Sequence, residues 1–218
     1  TELKLELAKA EEIDENFAFD RIIKESDSLK TVVKKSEHEN MQTFKKTYRL
    51  LDLNDLAEVS HKLKTARTVY LVGLGGSGVV CEDLYQKLIR LNVNAHYFRD
   101  FHLLMSALTH ATEDDLCLAL SYSGETREVV LAQKQAYEQG LCTVGISQVG
   151  NTSLNRYSQH MLYVPKTEMP LRLGSISSRF AMLALTDLLY LELARQDVSK
   201  TRKQIISTRE TIEQFEKK

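Results

Sequence analysis

Several things are scarce in this sequence, and each scarcity closes off a class of protein. No apolar run is long enough to span a bilayer and the first residues carry no signal-peptide pattern, so a cytoplasmic protein with no membrane partner is expected. Charge of one sign is also missing. The 29 Lys and Arg balance 30 Asp and Glu to a formal net charge of −1, which predicts no general attraction to nucleic acid or anionic membrane. The three cysteines, Cys81, Cys117 and Cys142, form no C-x-x-C, and two fall in expected strands, so they read as reduced core residues. Cys81 opens a helix, where a thiol can turn acidic, but packing is the preferred reading. The six histidines show no H-x-x-x-H spacing. No metal and no cofactor is expected.

What is present is apolar material enough for a substantial core: 43% of 218 residues are hydrophobic, consistent with one domain plus additional helices. The chain is organised around Leu116 to Leu120, a short continuously apolar run after the acidic turn Glu113-Asp114-Asp115, which reads as a strand buried on both faces. Val129, Val130, Ala132, Ala136 and Tyr137 then recur at helical spacing. The intervening Ser121-Tyr122-Ser123-Gly124-Glu125-Thr126 must be a tight strand-to-helix loop. Free backbone N–H groups and the positive end of a helix dipole point into such a loop, where Ser121, Ser123 and Thr126 add hydroxyls and Gly124 lets the backbone approach a ligand. The plainer reading is that Ser123 or Thr126 caps the helix, with Glu125 or Glu128 completing a capping box.

Elsewhere, Leu3, Leu5, Leu7, Ala8 and Ala10 suggest the end of a helix whose partner surface lies outside this sequence, and a charged segment, Glu11 to Glu15, follows. Phe19, Ile22, Ile23, Leu29, Val32 and Val33 form one broken helical stripe and Met41, Phe44, Tyr48 and Leu51 another, in a leader without Gly or Pro. Asp52 or Asn54 caps a helix bearing Leu56, Val59, Leu63 and Ala66. Strands are expected at 68–72, 95–98, 116–120, 142–146 and 161–164, the last stopped by Pro165. Helices follow the first four, beginning at Gly73-Leu74-Gly75-Gly76-Ser77-Gly78, near Phe101, after Thr126, and after the hydroxyl-bearing loop Ser147 to Ser153. Beyond a loop containing Pro170, a strongly apolar helix runs from Phe180 to about Leu193, and an amphipathic one carries Ile205, Ile206, Ile212 and Phe215.

Strands alternating with helices at this spacing give an α/β fold, a three-layer αβα sandwich on a five-stranded parallel sheet, because right-handed crossovers put helices on both faces. The loops after strands one, three and four then open together at the carboxyl edge, where such sheets bind ligands. Gly73 to Gly78 fits G-x-G-x-x-G and, with Asp100 as a ribose partner, suggests a dinucleotide. The hydroxyl-rich second and third loops favour a small phosphorylated ligand instead, since one phosphate needs several N–H and O–H donors and a polyol needs more.

Gly73-Leu74-Gly75-Gly76-Ser77-Gly78 after one strand and Ser121-Tyr122-Ser123-Gly124-Glu125-Thr126 after the third resemble the sugar isomerase (SIS) fold, whose S-x-S-G-x-T loop holds a sugar phosphate. With Asn151-Thr152-Ser153 and Ser177-Ser178-Arg179, the pattern more closely resembles the effector domain of RpiR-type bacterial transcriptional regulators, over roughly Asp52 to Leu193. The resemblance implies flavodoxin-like strand order. It implies a helical leader over 1–51 that includes the stub of a helix-turn-helix domain, a SIS domain over 52–198 and a C-terminal helix over 199–218. It implies ligand contacts at Gly75, Ser77, Ser121, Ser123, Gly124, Thr126, Thr152, Ser153, Glu168, Ser178 and Arg179. The partners it implies are a phosphorylated sugar effector, further copies of the chain in a homodimer or higher homo-oligomer, and DNA only through the N-terminal domain absent from this chain. Catalysis is the alternative, as an aldose–ketose sugar-phosphate isomerase. It needs a base beside an acid or cation, and Glu168, His102 and His110 are the nominees, though they form no recognisable constellation.

Overall fold

The computed structural model describes residues 23–168 and 174–216. The expected features at Leu3 to Ala10, Glu11 to Glu15, Phe19, Ile22 and Pro170 lie outside the described residues, as does the side chain of Phe215. Helices α1 (Leu29–Leu50) and α2 (Leu53–Thr65) precede β1 (Val69–Val72), α3 (Gly75–Arg90), β2 (Ala95–Tyr97), α4 (Phe101–Leu108) and β3 (Leu116–Leu120). Then come α5 (Arg127–Glu138), β4 (Cys142–Gln148), a 3₁₀ turn (Ser153–Tyr157), β5 (His160–Val164), α6 (Ser177–Arg195) and α7 (Val198–Glu216).

The five strands form one parallel sheet in the order β2-β1-β3-β4-β5, the expected flavodoxin-like arrangement. β3 lies at its centre, with Leu118 between Leu71 of β1 and Val144 of β4, and all five of its residues are buried. Because alternate side chains of a strand point to opposite faces, β3 feeds two cores. Leu116, Leu118 and Leu120 join Leu63, Leu84, Leu88, Met182 and Leu189 under α2, α3 and α6. Cys117 and Ala119 join Leu104, Leu108, Val129, Ala132 and Ala136 under α4 and α5. Cys81, buried in the first of these cores, has its thiol pushed well above the ordinary value by that burial, so its role is packing.

Two expectations are corrected here. Among the described residues, Leu29, Val32 and Val33 of one stripe and Met41, Phe44 and Tyr48 of the other lie on a single 22-residue helix, α1, capped by Ser28, whose hydroxyl accepts from Thr31 N. Without Gly or Pro nothing interrupts it. Its buried face is not the expected apolar one: Thr43 and Thr47 are buried where α1 packs on α6 and β5, while Val33, Met41 and Tyr48 stay exposed. Small side chains let α1 approach α6 closely, and Phe44 meets Phe180 with ring centroids 5.9 Å apart. β4 also runs two residues further than its apolar run, to Gln148. Ser147 and Gln148 pair with Tyr163 and Val164, and the ladder outweighs their polar side chains.

At the amino edge of the sheet an ion pair between an exposed Arg67 and a buried Asp115 ties the start of β1 to the start of β3. The Asp115 side chain is fully buried and accepts from Arg67 Nε at 2.9 Å and Nη2 at 2.6 Å, and from Thr112 N at 2.8 Å. Burial pushes the Asp115 carboxyl up, but these hydrogen bonds outweigh it and hold the group below the usual carboxylate value. A depressed carboxylate contributes stability that is complete above its unfolded value and is lost as pH falls through its folded one. Arg67→Ala removes two of the hydrogen bonds to the Asp115 carboxylate and is expected to lower the urea midpoint of unfolding at pH 7. The gap to the unaltered protein should begin to narrow as pH falls below about 3.9 and close only once pH has passed the lowered folded value, where Asp115 is neutral in both.

Candidate functional site

The strand order reverses between β1 and β3, whose outgoing loops open side by side at the carboxyl edge. The helices they lead into, α3 and α5, begin without side-chain caps: Leu74 offers none, and Thr126 sits at the N-cap of α5 without making the bond. α1, α2 and α4, by contrast, are capped by Ser28, Asp52 and Asp100. The first N–H groups of α3 and α5, together with the positive ends of both dipoles, therefore border one crevice.

The loop after β3 is built around its own hydroxyls. Ser121 Oγ lies 2.9 Å from Thr126 Oγ1, and Gly124 N donates to Ser121 O and Oγ at 3.0 and 3.2 Å. Ser123 Oγ accepts from Glu125 N at 3.2 Å, so the capping reading fails for both Ser123 and Thr126. Gly124 has φ +70°, and a Cβ there would fall inside the Thr152 side chain, so only glycine lets the two loops meet. They are joined further by Leu154 N donating to Gly124 O at 3.0 Å. Ser153 donates to Glu125 through Oγ at 2.5 Å and N–H at 2.8 Å, and these bonds hold the Glu125 carboxyl below its ordinary value. Thr152 caps the 3₁₀ turn, its Oγ1 lying 2.6 Å from Asn155 Oδ1.

Tyr122 turns away from the serines on either side of it. Its ring is buried, and its hydroxyl accepts from Thr167 N at 2.8 Å and Glu168 N at 3.0 Å while donating to Pro165 O at 3.4 Å. Glu168 Oε1 in turn accepts from Ser178 N at 2.8 Å and so serves as a distant cap for the first turn of α6. Two hydroxyls of this region, Thr167 Oγ1 and Ser178 Oγ, are buried without a hydrogen-bond partner among the described residues. A ligand rich in hydroxyls would satisfy both. Across the crevice, a Cβ on Gly76 would stand 2.6 Å from Ser175 Cβ, so the glycine loop and the approach to α6 touch.

Most of the residues expected at the site thus share one rim: Gly75 at the left-handed start of α3, Ser121, Ser123, Gly124 and Thr126 after β3, and Thr152 against Gly124. Others are already engaged. Ser77 Oγ donates to Met182 Sδ at 3.8 Å, both Ser153 donors are held by Glu125, and the Arg179 guanidinium carbon lies 5.9 Å from the Phe180 ring centroid. Asp100, the expected ribose partner, accepts from Leu103 N at 2.9 Å as the cap of α4. The nominated bases do not converge, since Glu168 follows β5 whereas His102 and His110 lie in and just after α4, which packs beside α5 on the other face of the sheet from α6. Tyr122, Glu125 and Thr167 are not among the expected contacts: the sequence marks Glu125 only as completing a capping box, whereas it accepts from Ser153, and marks Tyr122 only by its place between two serines. Among the described residues no group of three His, Cys, Asp or Glu could hold a metal ion.

Residues 62–192 match the SIS domain family. The uncharacterized HTH-type transcriptional regulator YbbH of Bacillus subtilis is 34% identical over 186 residues, which are 85% of this chain and 66% of YbbH. An uncharacterized HTH-type transcriptional regulator of Haemophilus influenzae is 31% identical over 93% of this chain and 71% of its own length. The chain spans about two thirds of the length of the curated relatives it matches. Among solved structures, the Vibrio vulnificus NanR protein complexed with ManNAc-6P superposes with a TM-score of 0.80 at 27% identity, over 84% of this chain and 69% of that one. Phosphoheptose isomerase GmhA of Neisseria gonorrhoeae shares the fold alone, with a TM-score of 0.64 at 13% identity over 76% of this chain and 99% of that one. With its strand order, its uncapped helices at the switch point and these relatives taken together, the chain belongs to the SIS domain family, in the branch of HTH-type transcriptional regulators.

Proposed function

We propose that this chain is the sugar-phosphate-sensing part of a transcriptional regulator and that ligand binding changes how DNA-binding heads are arranged in an oligomer. The observation that carries the reading is the pair of uncapped helix N-termini, α3 and α5, beside the Ser121, Ser123 and Thr126 hydroxyls. A phosphate dianion at α5 takes up the orphan N–H groups and the positive dipole end, and the hydroxyls add charge-assisted bonds. The sugar's own hydroxyls reach toward Thr167 and Ser178, whose oxygens lack partners among the described residues. The NanR complex holds a sugar phosphate on the same fold, which supports this ligand class. Pairing of copies would use apolar residues left outside the core, Leu191 on α6 and Ile206 and Ile212 on α7, which are 59%, 44% and 54% exposed. Operator half-sites must match head spacing, so a modest rearrangement switches affinity.

The runner-up is an aldose–ketose isomerase, because the same fold carries such enzymes. The engagement of Glu168 with Ser178 N speaks for a positioning role rather than a base. Incubation with aldose and ketose phosphates in heavy water, followed by NMR, is expected to show no exchange of the proton at sugar C2. Exchange that disappears in Glu168→Gln would establish the enzyme instead.

A thermal-shift panel of sugar phosphates, with ManNAc-6P and inorganic phosphate among them, identifies the ligand, since a hundredfold excess over Kd stabilises by about 2.7 kcal/mol. Ser123→Ala removes one bond to a charged group, worth roughly 1.5–3 kcal/mol, and is expected to weaken binding of the ligand so found about 10- to 150-fold in a folded protein. Calorimetry that finds affinity within about twofold of the unaltered protein would take this loop out of the site. For the unaltered protein, binding should weaken as pH falls through about 6, where the phosphate dianion takes up its second proton.

A further inference from the structure

The formal net charge of −1 conceals an uneven distribution. Helix α1 carries Lys30, Lys34, Lys35, Lys45, Lys46 and Arg49 against Glu37 and Glu39, six cations to two carboxylates in 22 residues. Four of them are aligned. Lys30, Lys34, Lys45 and Arg49 follow one another at separations of four, eleven and four residues, each close to a whole number of turns, so they form one stripe along the helix. The stripe faces away from Thr43 and Thr47, which are buried where α1 packs on α6 and β5. All four residues are exposed. Among the described residues the only cation of α1 in an ion pair is Lys35, held by Asp27 at 2.6 Å. Glu37, seven residues after Lys30, borders one edge of the stripe, and Glu39 lies well beyond the other, nearer Lys35 and Lys46.

From Lys30 to Arg49 the helix rises about 28 Å, at roughly 1.5 Å per residue. Duplex DNA presents about one phosphate charge per 1.7 Å of axis. A straight, exposed line of one sign on that scale complements a linear polyanion better than a compact anion, and the relatives of this chain are HTH-type transcriptional regulators, for which that polyanion is DNA. We propose that α1 is a second DNA contact, its cation stripe lying along the phosphate backbone beside the site read by the DNA-binding head. The contact positions the protein and carries no sequence readout. The inference rests on the regulator reading and is independent of which sugar phosphate is bound.

The test compares full-length protein with its K30Q/K34Q/K45Q/R49Q variant on a duplex of arbitrary sequence, by fluorescence anisotropy over a range of salt concentrations. Four lost phosphate contacts should reduce the slope of log K against log salt by up to about 3.6 and weaken binding about 10-fold or more. The preference for an operator over a scrambled duplex should be unchanged. Lys46→Gln, off the stripe, is the control and should leave the slope as it is. An unchanged slope in the fourfold variant overturns the proposal. A variant that falls to a smaller oligomer with its slope intact makes this face a contact between copies, which also overturns it. Full-length protein with no affinity for any duplex overturns the proposal together with the regulator reading, whereas a failure of ligand sensing alone appears only in the sugar-phosphate titration.

Discussion

The crevice in this molecule follows from the parallel sheet. Five strands running in one direction must all end at one edge, and each helix that follows must begin there with N–H groups its own turns cannot satisfy. Two of the helices, α3 and α5, diverge from adjacent strands to opposite faces of the sheet, and neither carries a side-chain cap at its N-terminus. Elsewhere the chain closes such ends with ordinary caps, Asp52 and Asp100 among them. The uncapped ends at the switch point differ from these, and they are the feature on which the proposed ligand site rests.

Around this crevice the loops are held mainly by one another. The Tyr122 hydroxyl draws the segment after β5 against the loop after β3, Glu168 carries that connection to the first turn of α6, and Phe180 in the same turn meets Phe44 of α1. Glu125 and Ser153 clasp the remaining pair of loops from outside. The site is thus joined by short polar contacts to the helix that leads toward the amino end of the chain. Its hydroxyls are preorganised by bonds among themselves rather than by a rigid apolar wall.

The architecture was legible because its signals are strong and local. The unbroken apolar run of β3, the glycine loop at α3 and the acidic cap of α2 each follow from a few adjacent residues. Strand order and the helix layers matched the expectation closely. The site was legible in its hydroxyls and glycines but not in its clasps. Nothing adjacent to Glu125 indicates that it turns to Ser153, 28 residues on, and nothing near Tyr122 points to amides 45 and 46 residues away. α1 misled for a different reason. Its apolar spacing suggested a core-facing stripe, whereas close packing on α6 favoured the small Thr43 and Thr47 and left larger side chains outside.

The contact between Gly124 and Thr152 ties together two loops that are separate in sequence. Any side chain at position 124 needs the space that Thr152 fills, and it would be strained at φ +70° even if that space were cleared. The glycine thus sets how near the two loops can come. Thr152 can shrink without consequence for Gly124, whereas a side chain at 124 both displaces Thr152 and is strained at φ +70°, so the constraint runs one way.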